Sequence, residues 1–153
     1  QYRKTRKMRD ALGRDFLPQL DHYVNQIDEM EQRSSEVLSI INSIPVNELT
    51  RDMASLQQRK NESDDARMIQ QYDHSIQQIQ QQQESCRRLV QQQELLDLRL
   101  DAAMNSLKQL QIDMLRLDSL TDGRDVSLAK ELHDRSEDLS LYLRDVEASL
   151  SEL

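Results

Sequence analysis

The sequence predicts an all-α chain of long antiparallel helices, arranged as a three-helix bundle with a projecting two-helix coiled coil. Three observations carry this. Two glycines and two prolines in 153 residues leave little to build turns from, so the elements must be few and long. Leu, Gln, Glu, Arg and Met, all good helix formers, dominate, while aromatic residues are only 3% and a sheet has little to pack with. Apolar residues recur at alternating steps of three and four along nearly the whole chain. With 37% hydrophobic and 31% charged residues, the supply suits narrow seams between helices rather than one broad core.

The first element is basic. Residues 1–14 carry Arg3, Lys4, Arg6, Lys7, Arg9 and Arg14 against the single acid Asp10, a net +5. The other 139 residues carry 14 bases and 27 acids, which brings the chain to −8. Gly13 and Pro18 predict a break at about 13–17, so 1–15 reads as a basic segment of its own. Residues 16–153 then form a single elongated domain.

That domain opens with a strict seam: Phe16, Leu20, Tyr23, Ile27, Met30, Ser34, Val37, Ile41 and Ile44 alternate steps of four and three. Pro45 disfavours helix at Ile44 and marks a kink or restart. The pattern resumes at Val46, Leu49, Met53 and Leu56. It ends in the polar run RKNESDDAR, where a hairpin turn is expected at about 61–64 with Ser63 as the cap of the next helix.

The following stretch is the least obvious helix. Eleven of the 24 residues from Gln70 to Gln93 are glutamine, a composition that by itself suggests low complexity. Yet Ile69, Tyr72, Ile76, Ile79, Gln83 and Cys86 keep helical spacing, and so do Leu89, Gln93, Leu96, Leu100, Ala103, Leu107, Leu110, Met114 and Leu117. The two runs join through 83, 86 and 89, two successive steps of three, which overwinds the seam locally. One continuous helix from Asp64 to about Leu120 is therefore predicted, with only Gln83 and Gln93 of the tract on its inner side. Gly123 ends it and Asp125 caps the last helix. There Leu128 and Ala129, and again Tyr142 and Leu143, double the stripe, as a helix touching two neighbours requires.

Short connections make sequential helices antiparallel neighbours. The first hairpin pairs positions whose numbers add to about 125, and the second to about 246. Helices 16–44 and 125–153 then both lie against 93–120, and a two-helix arm of about 46–80 remains. The three-helix part is similar in topology to spectrin-type bundles, but the chain has no Trp and no second copy at their period, so no family is assigned.

No phosphate loop, nucleophile elbow, HExxH or CxxC motif occurs, and His22, His74 and His133 are scattered off the seams. No enzyme activity, metal or cofactor is expected. Cys86, the lone cysteine, reads as a small seam hydrophobe and fits a reducing, cytoplasmic setting. An acidic body argues against nucleic acid.

The expected function is a structural or protein-interaction module, the cytoplasmic coiled-coil domain of a membrane-anchored protein. On this reading the basic residues Arg3 to Arg14 lie beside an anionic leaflet. A solvated terminus without a role is the plainer alternative for that segment. For the chain as a whole, the alternative is a peripheral membrane-binding or stress-response coiled coil. The arm has Lys60, Ser63 and Gln83 where leucines would serve better. Leu56, Ile69, Tyr72 and Ile76 are therefore the expected surface for a protein partner or a second copy. Far-UV circular dichroism should report about 80% helix; less than half would return the glutamine tract to disorder.

Overall fold

The computed structural model describes the backbone of residues 2–119 and 125–153, and the side chains of 16–117 and 127–153. Four helices follow in order: α1 (Tyr2–Asn42), α2 (Val46–Glu62), α3 (Ala66–Ser119) and α4 (Asp125–Ser151). Outside helix, the described chain has only 43–45, 63–65 and the last two residues. The glutamine tract is helical throughout. Nine of its eleven glutamines are exposed, Gln83 is half-buried and Gln93 is buried. The basic side chains of Arg3, Lys4, Arg6, Lys7, Arg9 and Arg14, and the expected terminator Gly123, lie outside the described residues.

The break expected at 13–17 is not there. α1 runs unbroken for 41 residues with Pro18 inside it. An interior proline removes one ladder hydrogen bond and costs about 3 kcal/mol. Pro18 is exposed, so water can serve the carbonyl it leaves unpaired. Phe16, Leu20 and Tyr23, on the opposite side, are each only 3% exposed, and burying such side chains contributes about 1.5–3 kcal/mol apiece. Tertiary burial therefore overrides the local preference.

At Pro45 the chain does restart. Ser43 and Ile44 donate back to Ile40 and Ile41 and close α1. Pro45 takes φ −81° and ψ 68°, and the Val46 amide bonds the Ile44 carbonyl at 2.9 Å, which is an inverse γ-turn. The second connection is three residues long. Ser63 closes α2 through its amide to Lys60, and its hydroxyl accepts from the Asp65 amide at 3.3 Å. The cap of α3 is Asp65 rather than Ser63: its carboxylate accepts the Arg67 amide at 2.9 Å, the N-cap bond to the second helical residue.

Two compact units emerge. Unit 1 comprises Gln1–Ser34 and Leu95–Leu153, and unit 2 comprises Ser35–Glu94. Unit 2 includes the whole of the arm expected at 46–80. In unit 1, α1, α3 and α4 pack in a bundle-like arrangement around one core. Ile27, Leu100, Ala103, Leu107, Leu132, Leu143 and Val146 are its most enclosed members. Phe16 meets His133, Tyr23 meets Ser136 and Gln26 meets Glu147, so α1 and α4 run the same way. Asp113 meets Arg135 and Arg99 meets Ser149. Both pairs add to 248, two more than expected, so α3 and α4 run oppositely.

Unit 2 departs further. Lys60 pairs with Asp73 and Gln83 with Thr50, and both pairs add to 133 rather than about 125. The turn lies at 63–65, which accounts for part of the offset. The rest follows from the tilt of every Cα–Cβ bond toward its own helix N-terminus. In an antiparallel pair, that tilt makes each residue touch a partner further along the chain than the level backbones imply.

The turn at 63–65 should accept several inserted Gly-Ser residues with little loss of stability, because closure entropy grows slowly with loop length. The same insertion between Gln80 and Gln83 should shift the seam and lower the melting temperature sharply. Equal melting temperatures for the two insertions would contradict the pairing of α2 with α3.

Candidate functional site

The sequence places the interaction surface on α2 and the start of α3, and here unit 2 is sparsely held. Leu49, Met53, Leu56 and Lys60 are half-buried at steps of four, three and four, and none of the 17 residues of α2 is buried. On α3, Ile69, Tyr72 and Ile79 are half-buried, and of these four seam residues only Ile76 is buried, at 8% exposure. The cross-helix polar contacts are weak. The Lys60–Asp73 pair is solvent-exposed, and such pairs contribute 0–1 kcal/mol. Gln83 Nε2 donates to Thr50 Oγ1 at 3.4 Å, while that hydroxyl donates to the Val46 carbonyl.

Of the four residues expected to face a partner, Leu56, Ile69 and Tyr72 thus keep part of their surface open, whereas Ile76 is covered within the chain. A further set of apolar side chains is more open than these. Val46 (46%), Met68 (45%) and Ile40 (65%) stand exposed on unit 2. Val46 was expected on the seam; as the first residue of α2, directly after the γ-turn, it is turned outward. Met68 and Ile40 fall between seam positions, and the signal that finds them is simply an apolar residue off the stripe.

Cys86 is half-buried rather than enclosed. It borders a shallow depression of about 680 Å³ shared with Ile44, Gln82 and Leu89. Its basic neighbours are turned to Glu84. Arg87 donates twice to Glu84, at 2.6 and 3.0 Å, and Arg88 once at 3.4 Å. The Arg87 hydrogen bond holds the Glu84 carboxyl below its ordinary range, and Glu84 in turn raises Arg87.

In unit 1 the polar contacts are better protected. Tyr23 donates to the buried Ser136 carbonyl at 3.2 Å and accepts from Gln19 at 2.8 Å. Ser34, only 1% exposed, donates to Asp97 at 2.6 Å. Asp113 is 9% exposed and bound by Arg135 at 2.6 Å and Gln109 at 3.1 Å. The Arg135 hydrogen bond outweighs burial and holds this carboxyl below its usual range. The pairings of Tyr23 with Ser136, Ser34 with Asp97 and Asp113 with Arg135 depend on which helix lies opposite, whereas Gln19–Tyr23 and Gln109–Asp113 are neighbours four residues apart on one helix. His22, His74 and His133 are all exposed. Among the described residues, no three His, Cys, Asp or Glu side chains are placed to share a metal, and no helix is long and apolar enough to cross a membrane. No protein-family model, curated protein or solved structure matches the chain.

Because the folded Asp113 pKa is depressed, its contribution is complete above the unfolded carboxylate value of about 4 and is lost as pH falls through the lower folded value. Asp113→Asn should therefore cost about 1–2 kcal/mol at pH 7. The gap to wild type in urea unfolding should shrink when both are measured near pH 2.5. A gap of constant size would show that the charge of Asp113 is not the source.

Proposed function

We propose that the chain is a non-enzymatic structural and protein-interaction module. Unit 1 is a three-helix bundle, and unit 2 is an antiparallel two-helix coiled coil that pairs with another polypeptide, foremost a second copy of itself. The observation that carries this is α2, whose 17 residues include no buried one. A single seam leaves most of each helix wet, and the stability of such helices comes mainly from packing. A partner laid along α2 and α3 would cover Leu56, Ile69 and Tyr72 and the exposed Val46 and Met68. The absence of any catalytic motif from the sequence supports a non-catalytic role. A cytoplasmic, membrane-anchored setting is supported by the charge of residues 1–14 alone. That same charge supports the alternative of a peripheral protein held on anionic lipid.

Sedimentation equilibrium at tens of micromolar tests the pairing. Wild type should dimerise. The double variant Val46→Lys, Met68→Lys should be monomeric with an unchanged circular dichroism spectrum, since both positions are exposed. Substitution at Ile76 would be uninformative, because it would damage the internal seam. In the monomer, amides of 46–62 should exchange faster than those of 96–117. A strictly monomeric wild type would remove self-pairing and leave docking to a different protein.

A further inference from the structure

A second surface lies in unit 1, between α3 and α4. An open groove of about 600 Å³ runs there, floored by the buried Leu110 and Leu139 and the half-buried Tyr142, with Ala102 on its wall. It does not end with these residues. Leu95, Leu98, Ala102, Asn105, Gln109 and Ile112 follow one another at alternating steps of three and four, so they share one side of α3. Three of them are large apolar side chains left open to solvent: Leu95 at 48%, Leu98 at 67% and Ile112 at 52%. From Leu95 to Ile112 is about 26 Å of helix, nearly five turns. A long trough between two antiparallel helices is where a four-helix arrangement seats its fourth member.

The opposite lip sets the charge of that member. On α4, Glu131, Asp138 and Asp145 stand seven residues apart and exposed, and Glu152 continues the row just past the helix end. Seven-residue spacing keeps them on one face. The cations nearby are engaged: Arg135 bonds Asp113, Arg99 bonds Ser149, and Arg116 also acts on Asp113. We propose that the α3–α4 groove of unit 1 docks an amphipathic helix of a partner protein, one whose apolar stripe is flanked by Lys or Arg. The stripe covers Leu98, Ala102, Ile112 and Tyr142, and the basic flank meets Glu131, Asp138 and Asp145. A second copy does not supply such a helix from its described side chains. Between residues 16 and 42, α1 has five acids and one base, the described part of α4 has six acids and three bases, and α2 and α3 are nearly balanced. The proposal belongs to the reading of the chain as an interaction module, but it is independent of pairing through unit 2.

The test uses the full chain and a designed fluorescent peptide of about three heptads, with Leu along one stripe and Lys on both flanks. A twin carries Glu in place of Lys. Fluorescence anisotropy should show saturable, salt-sensitive binding of the Lys peptide and at least about tenfold weaker binding of the Glu twin. Ala102→Arg and Asp138→Lys, both at exposed positions, should each weaken the Lys peptide about tenfold with unchanged melting temperatures. The double variant in unit 2, Val46→Lys, Met68→Lys, should bind it like wild type, which separates this groove from the unit 2 surface. Failure of the Lys peptide to bind, equal binding of the twins, or undiminished binding to Ala102→Arg would overturn the proposal. Wild-type self-association abolished by Ala102→Arg would overturn the choice of occupant and assign the groove to a second copy.

Discussion

One stripe on α3, from Leu96 to Leu117, has to be covered from two sides at once. The chain holds too few apolar residues to give each helix a broad face of its own, so α1 and α4 both close on this shared stripe. Leu100, Ala103, Leu107 and Leu110 are each exposed by no more than 2%. Ala103 is fully enclosed in this core, and a larger side chain there would overpack it. α4, in contact with both partners, needs the doubled stripe at 128/129 and 142/143. α1 holds its helical course through Pro18 because Phe16, Leu20 and Tyr23 are drawn into the same core.

Unit 2 lacks such a shared stripe, and its chemistry changes accordingly. Seam positions carry Lys60 and Gln83 in place of leucine, and the contacts they make are exposed. Polar seam residues weaken a helix pair while narrowing the ways it can align, since a lysine or glutamine at the seam must find a matching group. Both observed pairings, Lys60 with Asp73 and Gln83 with Thr50, share one register. A seam of this kind specifies an alignment at low stability, in contrast to the enclosed core of unit 1.

Much of this was legible in the sequence, and the glutamine tract shows why. Composition pointed to disorder and spacing pointed to helix; spacing prevailed, down to the two glutamines on the inner side. Periodicity reports which face of a helix is buried, because burial is what the period records. It does not report what lies across the interface. Asp113 looks like any surface acid until Arg135 is brought beside it by the direction and register of α4. Ser136 looks like a lapse in the α4 stripe until Tyr23 is placed against it. The unit 2 register was misjudged because hairpin arithmetic treats residues as points on an axis, whereas side chains lean toward the N-terminus of their own helix. Pro18 misled because its cost is local and its compensation is tertiary.

The Tyr23–Ser136 contact also governs how unit 1 answers mechanical load. Along α4, Ser136 stands between Leu132 and Leu139, both buried. If α1 slid along α4 by one helical turn, about 5.4 Å, the Tyr23 hydroxyl would leave the Ser136 carbonyl and face a leucine on either side. The displaced hydroxyl would keep the hydrogen bond it accepts from Gln19 of its own helix but lose the acceptor for its proton, at about 1–3 kcal/mol, and the tyrosine ring would collide with a side chain larger than serine. Leucine-on-leucine seams offer many nearly equivalent steps to a sliding helix, whereas this contact makes one step distinct. It acts as a detent against axial shear between two parallel helices.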